Sequence, residues 1–463
     1  MTNALDEVLA VRGGEPIPST MLNLTGADPV LPTRFRIGET CAAVVAGIGL
    51  AASDIWELRS GRRQNVGVDV RHAAAALGSS AHMQKPNSDG VFSSFISAEH
   101  QAMRQLTQPW PTKDGRWFLP HFGLPNLRER VLAVLGCDPT PESVRAAVAQ
   151  WDALDLEAAI DAARACGAMV RSNDEWLGHA HGQALAAKPI VEIIKVADSD
   201  PEPMPSAPRP LSGINVLDLT RILAGPIAAR TLAEHGAEVL MVTAAQLPQI
   251  PEHVIDTSHG KRSCFLDLND TAQAATLKRL VKDAHVFSQG YRPAVLEGLG
   301  FGVEELAALR PGLIYTSISC FGADGPFSHR GGWEQVAQTV TGICNEGSPD
   351  KPALLPAAAC DYTTGYLAAY GVLLALARRA REGGSYHVRV SLCQSGMLIY
   401  RQGQTAPVAS NLGHTQAELD AIRIESQTSK GPLKHLGPIV QLSETKPHWV
   451  RPTPTLGGDS ASW

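Results

Sequence analysis

The chain lacks any Cys-x-x-Cys pair; its eight cysteines stand alone at 41, 137, 166, 264, 320, 344, 360 and 393. Such spacing offers neither a zinc ribbon nor a disulfide framework, and isolated thiols suit a reducing compartment. No run of lysine and arginine stands out, and the net charge is −6. A nucleic-acid or anionic-membrane surface needs the opposite balance, although a local basic pocket for a phosphorylated ligand remains compatible with it. No stretch of 18 apolar residues is free of charge, which argues against a membrane span. Met1-Thr2-Asn3-Ala4-Leu5-Asp6-Glu7 lacks the basic and apolar regions of an export signal, so the cytoplasm is the expected location. What is present, 44% hydrophobic and 19% charged residues, describes an ordinary globular protein able to bury a sizeable core.

At 463 residues the length accommodates two or three domains. Residues 1–98 contain an apolar, alanine-rich helix from Glu39 to about Leu58, a Gly61-Arg62-Arg63-Gln64 turn, and an alternating strand Asn65–Val70. Residues 99–197 predict a small α+β domain, with a hairpin turn at Lys113–Phe118, helices over 125–135, 141–151 and 156–165, and an apolar run at Ile190–Lys195. Its His179, His181 and Glu192 are too loosely spaced to predict a metal site. Five prolines within residues 198–210 predict a stiff, extended linker.

From 211 to 400 strands and helices alternate at short spacing, the signature of a parallel sheet wrapped by helices. The expected fold class is therefore α/β: a Rossmann-like parallel-sheet domain with a smaller α+β domain and a C-terminal tail over 401–463. Such sheets hold ligands at the carboxyl ends of their strands. The first turn, Thr220–Pro226, has no G-x-G-x-x-G, so a dinucleotide-dependent dehydrogenase loses its main support. No G-x-S-x-G elbow surrounds Ser319-Cys320, which disfavours a serine hydrolase.

One acidic residue stands apart. Asp361 lies among small residues ahead of an almost wholly apolar helix that ends in Arg378-Arg379. Read locally it is a helix N-cap; a carboxylate there would also be partly desolvated near the positive end of a helix dipole. The segment echoes the N-terminal one. Aligning Val388-Arg389-Val390-Ser391 with Val66-Gly67-Val68-Asp69 puts Gly371 on Gly49 and Asp361 on Glu39.

Six motifs then occur in order. They are Leu211-Ser212-Gly213 through Ala224-Gly225-Pro226; His259-Gly260-Lys261-Arg262-Ser263 ahead of Leu266-Asp267-Leu268; Gly290-Tyr291-Arg292-Pro293 with Leu299-Gly300; Leu313 through Pro326; Gly332-Trp333-Glu334-Gln335-Val336-Ala337-Gln338; and the Asp361 run. Together they resemble the class III CoA-transferase family, which includes formyl-CoA transferase, carnitine CoA-transferase and the α-methylacyl-CoA racemases. Asp114-Gly115-Arg116-Trp117 and Glu175-Trp176-Leu177 through Pro189 resemble the family's small domain, which here precedes the nucleotide-type domain instead of following it. The chain thus resembles a permuted or partly duplicated member.

The resemblance implies that Asp361 is the nucleophile, attacking an acyl-CoA thioester and passing CoA to an acceptor carboxylate through an aspartyl anhydride and an aspartyl-CoA thioester. It implies CoA as substrate, no metal, no nucleic-acid or membrane partner, and a homodimer. For CoA contact it points to Leu223 and Ala224, the region from Leu266 to Asn269, the loop Gly290, Tyr291 and Arg292, and the loop Gly331, Gly332, Trp333 and Glu334. Lys261 and Arg262 are candidate phosphate partners. Ala244 stands where the family has an arginine, and Gly298 near a usual basic position. Racemase members carry Gly-His-Asp where this chain has Gly332-Trp333-Glu334, which disfavours that reaction. The alternatives are a CoA-ester racemase, isomerase or lyase of the same fold, and a degenerate CoA-binding protein.

Overall fold

The computed structural model describes residues 3–348 and 351–463. The N-terminal segment builds β1 (Leu22–Thr25), α1 (Ile37–Ser60), β2 (Val66–Asp69) and α2 (Val70–Ala76). α1 is apolar on nearly all sides, as a helix buried on all sides must be. By length and composition it could cross a membrane, contrary to the expectation from sequence, but 89% of its most apolar window is buried inside the protein. Gly61, at φ 72°, ends it by returning its N–H to the Glu57 carbonyl at 2.8 Å.

The small unit follows. β3 (Trp110–Pro111), β4 (Trp117–Pro120) and β5 (Gly167–Met169) pair antiparallel and are covered by helices at Pro125–Leu135, Pro141–Val148 and Ala153–Ala162. Phe118, Val131, Val144, Val148, Leu156 and Ile160 form its own core. β6 (Glu192–Ala197), assigned from sequence to this unit, instead joins the large sheet antiparallel, with Val388 opposite Ile193. The proline-rich stretch is no free tether either. The buried Arg59 guanidinium donates to the carbonyls of Pro205, Pro210 and Ser212 at 2.5–2.7 Å, and Met204 is buried.

The large sheet comprises β7 (Asn215–Leu219), β8 (Glu238–Thr243), β9 (Lys261–Phe265), β10 (Val286–Gln289), β11 (Ile314–Ser319) and β12 (Ser385–Ser391). Its order is β9-β8-β7-β10-β11-β12-β6, with all but β6 parallel. This is the 3-2-1-4-5-6 order of a doubly wound sheet, and the order reverses between β7 and β10, where such folds bind ligands. The helices that matter for the site are α3 (Ala224–Glu234), after β7; α4 (Glu334–Val340); α5 (Ala359–Glu382), before β12; and α6 (Leu392–Arg401), after it. The last sixty residues do not form a separate unit. Gln441–Leu442 pairs with β2, and the hairpin of Arg423–Thr428 with Gly431–Leu436 extends the strand Gln84–Pro86.

The internal echo is a structural repeat. α1-β2-α2 recurs as α5-β12-α6 at a constant offset: the long helices start at 37 and 359 and both span 24 residues, and the next helices start at 70 and 392. The residues before the two long helices share a backbone conformation, Arg36 at φ −80°, ψ 59° and Ala358 at φ −82°, ψ 59°. The packing repeats too. A Cβ on Gly49 would come within 2.4 Å of Val66, and one on Gly371 within 2.6 Å of Val388, the equivalent pair.

Candidate active site

The first N–H groups of a helix have no partner within it. Glu334, the first residue of α4, supplies one for α5: its carboxylate accepts the Asp361 N–H at 2.5 Å and the Cys360 N–H at 3.1 Å. The Gln338 amide, one turn along α4, donates to the same carboxylate at 2.5 Å, while its own carbonyl oxygen accepts the Leu355 N–H at 2.8 Å. Asp361 is thus not the cap, as its local sequence predicts, but stands in the first turn with its carboxylate free of that duty. It is 7% exposed, and its pKa is raised well above the ordinary value, first by burial and then by the charge of Glu334. Burial also pushes Glu334 up to about 6, against the pull of its three donors. Two adjacent buried carboxylates resist double ionisation.

Three close approaches hold this geometry. A Cβ on Gly365, one turn beyond Asp361, would lie 2.4 Å from the Ala224 carbonyl, so α5 rests directly on the start of α3. A Cβ on Gly225 would lie 2.3 Å from Thr220, so α3 folds back on the end of β7. Between them Ile222 has φ 73°, a left-handed conformation that a β-branched residue adopts only when its surroundings impose it. From the other side, the Leu77 carbonyl accepts the Ala358 N–H at 3.1 Å, and the Tyr362 hydroxyl accepts the Ser80 N–H at 3.3 Å. The N-terminal segment therefore helps to hold the first turn of α5.

Two cavities meet at Asp361. The smaller, about 220 Å³, runs along the strand ends at the switch point and is lined by Leu223, Ala224, Gly290, Tyr291, Arg292, Gly332 and Trp333 among others. The larger, about 410 Å³, opens on the other side between Leu77, Ala81, Ile96, Met103, His121, Ile250 and Leu355, and includes Leu223, Trp333, Glu334 and Asp361. Of the residues expected from sequence, Leu223, Ala224, Gly290, Tyr291, Arg292, Gly332, Trp333, Glu334 and Asp361 each line at least one of these cavities. Gly331 packs beneath Arg292, where a Cβ would lie 2.6 Å from the guanidinium.

Lys261, Arg262 and Leu266 lie outside both cavities. The Lys261 ammonium is fully buried, 2.7 Å from Asp218 and 2.9 Å from the Pro226 carbonyl. Arg262 pairs with Glu238 at 2.8 Å and with the Ser462 carbonyl. Leu266 belongs to the core beside Leu240 and Leu277. Their side chains are engaged with the sheet and its carboxylates. The cations that do face the smaller cavity are Arg292, expected from sequence, and Arg221, which was not. Neither has a carboxylate partner among the described residues; Arg221 donates to the Pro248 carbonyl and Arg292 to the Arg164 carbonyl. Burial lowers the pKa of Arg221. No group of three or more metal-ligating side chains occurs among the described residues.

A buried carboxylate beside a cleft at the switch point of a doubly wound sheet places the candidate active site at the strand ends of an α/β fold. Residues 211–411 match the family described as CoA-transferase family III. The acetyl-coenzyme A transferase nodX of Hypoxylon pulicicidum is 32% identical over 437 residues, covering 84% of this chain and 72% of that protein. An acyl-CoA transferase of Gibberella moniliformis is 30% identical, covering 81% and 73%. The succinyl-CoA:glutarate CoA-transferase of Mus musculus is 32% identical over 212 residues, 42% of this chain and about half (48%) of that one. Among solved structures, Rv3272 of Mycobacterium tuberculosis is similar at 30% identity over 43% of this chain and 56% of its own, with a TM-score of 0.39. The chain belongs to the class III CoA-transferase family and is an enzyme of that transferase class.

Proposed function

We propose that the protein is an acyl-CoA:carboxylate CoA-transferase that moves CoA between carboxylic acids through covalent intermediates on Asp361. The observation that carries this reading is the position of Asp361, a buried carboxylate on which a nucleotide-side cleft and a separate, larger cavity both open. The names of the relatives, transferases of acetyl-, acyl- and succinyl-CoA, support it. Arg221 and Arg292 face the cleft that would take the CoA phosphates, and the larger cavity would take the acyl group and the acceptor.

In this scheme an Asp361 oxygen bonds to the thioester carbonyl carbon, and collapse of the tetrahedral oxyanion breaks the C–S bond, leaving an acyl-aspartyl anhydride and CoA thiolate. The thiolate attacks the aspartyl carbonyl and releases the first carboxylate. The acceptor carboxylate then attacks the aspartyl thioester, expelling thiolate, which takes the new acyl group and frees Asp361. No net proton is exchanged. Burial deprives the Asp361 carboxylate of water, which strengthens it as a nucleophile once ionised.

Racemase members carry a histidine where this chain has Trp333. Three histidines line the larger cavity, His100, His121 and His253; His121 has both ring nitrogens engaged, with Gln335 at 3.0 Å and the Gly123 N–H at 3.1 Å, and His100 and His253 pack edge to face at 5.5 Å. The proposal carries with it a cytoplasmic location, in keeping with eight free thiols, and assembly as a homodimer, which light scattering would test. The decisive experiment is hydroxylamine trapping during turnover of an acyl-CoA with a carboxylic acid. A hydroxamate on Asp361, and loss of CoA exchange in Asp361→Asn, are expected; full exchange by Asp361→Asn would overturn the reading.

A further inference from the structure

The oxyanion formed when Asp361 attacks a thioester needs hydrogen-bond donors. The first turn of α5 is the obvious source, but its Cys360 and Asp361 N–H groups are occupied by Glu334. The Tyr362 hydroxyl is turned to Asp256 and Ser79. Another wall of the larger cavity carries a side-chain amide, that of Gln335.

The orientation of Gln335 is set by a chain of hydrogen bonds that starts at a backbone amide. The Gly123 N–H can only donate, and it points at Nδ1 of His121 at 3.1 Å, so Nδ1 is the unprotonated nitrogen. The ring proton therefore sits on Nε2. Nε2 lies 3.0 Å from Gln335 Oε1 and donates to it. The Gln335 amide is thereby fixed with its oxygen toward the histidine and its NH2 group turned away from it. Among the described residues that NH2 group has no protein acceptor, and Gln335 lines the cavity that holds Asp361. His121 is itself immobile: it is 1% exposed and stacks on Trp333 at 4.6 Å and 26°. Burial holds its pKa down to about 4, so the ring stays neutral and keeps this donor pattern near neutral pH. Gly123 is required here, because a Cβ would lie 2.5 Å from the His121 ring.

We infer that Gln335 is a substrate-contacting residue of this site, its amide NH2 donating to the carbonyl oxygen of the bound CoA ester as that oxygen becomes the oxyanion, and that His121 is the positioning residue that aims it. The inference rests on the proposed transferase reading. As the Asp361–carbon bond forms, the carbonyl electron pair moves onto the oxygen facing Gln335; it returns as the C–S bond breaks and the thiolate leaves. No proton changes hands.

The test uses the full-length enzyme with an acyl-CoA and a carboxylic acid that support turnover, and three variants: Gln335→Leu, Gln335→Glu and His121→Phe. Loss of one oxyanion donor lowers kcat by about 100- to 1,000-fold, and both Gln335 variants are expected in that range with the KM for the acyl-CoA little changed. His121→Phe keeps the stacking on Trp333 but frees the amide, and a fall of about tenfold in kcat is expected. In the Gln335→Leu background His121→Phe should have no further effect, a non-additivity that a purely structural histidine would not produce. Gln335→Glu is nearly isosteric, and an unchanged melting temperature would exclude misfolding as the cause of a loss. Variants within twofold of the parent in kcat, while the parent still gives the Asp361 hydroxamate, would overturn the inference. No hydroxamate in the parent would instead overturn the transferase mechanism itself.

Discussion

The pairing of Glu334 with Asp361 makes a prediction about pH. In the proposed mechanism Asp361 attacks only when ionised, and its pKa is raised by burial and by the neighbouring Glu334 charge. At an effective dielectric near 20, like charges about 5 Å apart repel by roughly 3 kcal/mol, or about two pKa units. Glu334→Gln removes that repulsion and leaves burial in place. The pKa of Asp361 should therefore fall, and the acid limb of the rate of adduct formation should move to lower pH by one to two units on this order-of-magnitude estimate. Single-turnover trapping across pH 4–9 would measure it. A second readout concerns stability. Glu334 is raised from 4.5 to about 6 in the folded protein, so the native state holds its proton more tightly than the unfolded chain. Its contribution is fully present below the unfolded value and is lost as pH rises through about 6, a decline of about 2 kcal/mol. The glutamine variant should lack that slope in denaturant titrations, though it is less stable at low pH, because in either orientation its NH2 end meets a backbone N–H donor, that of Asp361 or that of Cys360. An unshifted acid limb, or one that moves up, would refute the argument that the two charges oppose each other.

Other expectations follow from contacts already described. Lys261→Met leaves Asp218 buried without its cation, and a loss of roughly 3–5 kcal/mol in chemical denaturation is expected; Lys261→Met with Asp218→Leu should recover most of it. Arg221→Gln and Arg292→Gln each remove a cation facing the strand-end cleft, and calorimetry with CoA should show affinity reduced by about 10- to 100-fold, the worth of a hydrogen bond to a charged group. Gly365→Ala forces a methyl against the Ala224 carbonyl and Ile227; overpacking of about 1–3 kcal/mol is expected, read as a lower melting temperature, with a fall in kcat because Asp361 rides on the same turn.

The sequence exposed the α/β alternation because strand and helix periodicities are local, and every strand of the parallel sheet from 215 to 319 lies within a few residues of its expected place. Asp361, Glu334 and the loops at 223–224 and 290–292 were legible through ordered motifs. What was not legible depended on distance in space. Lys261 reads as a candidate phosphate partner until Asp218, 43 residues away, is found beneath it. His121 carries no motif; its meaning comes from Gln335, 214 residues on. β6 reads as part of the small unit because nothing in its residues shows which sheet edge is open to it. Even the capping of α5 was misassigned, since a capping carboxylate from a different helix leaves no local trace.

The repeated helix–strand–helix unit also repeats its acidic pair. Glu39, the counterpart of Asp361, has its N–H held by Asp28 at 2.8 Å, as Glu334 holds that of Asp361. Yet Arg36, where the other copy has Ala358, clamps the Glu39 carboxylate at 2.9 Å, and that side chain is one-third exposed. In two identical subunits a substitution at such a position alters both copies at once. Within one chain the two can diverge freely, one keeping a carboxylate dry and unpaired at a cost in stability, the other neutralising its own. The asymmetry makes Glu39 the place to ask how few changes separate a scaffold from a reactive site.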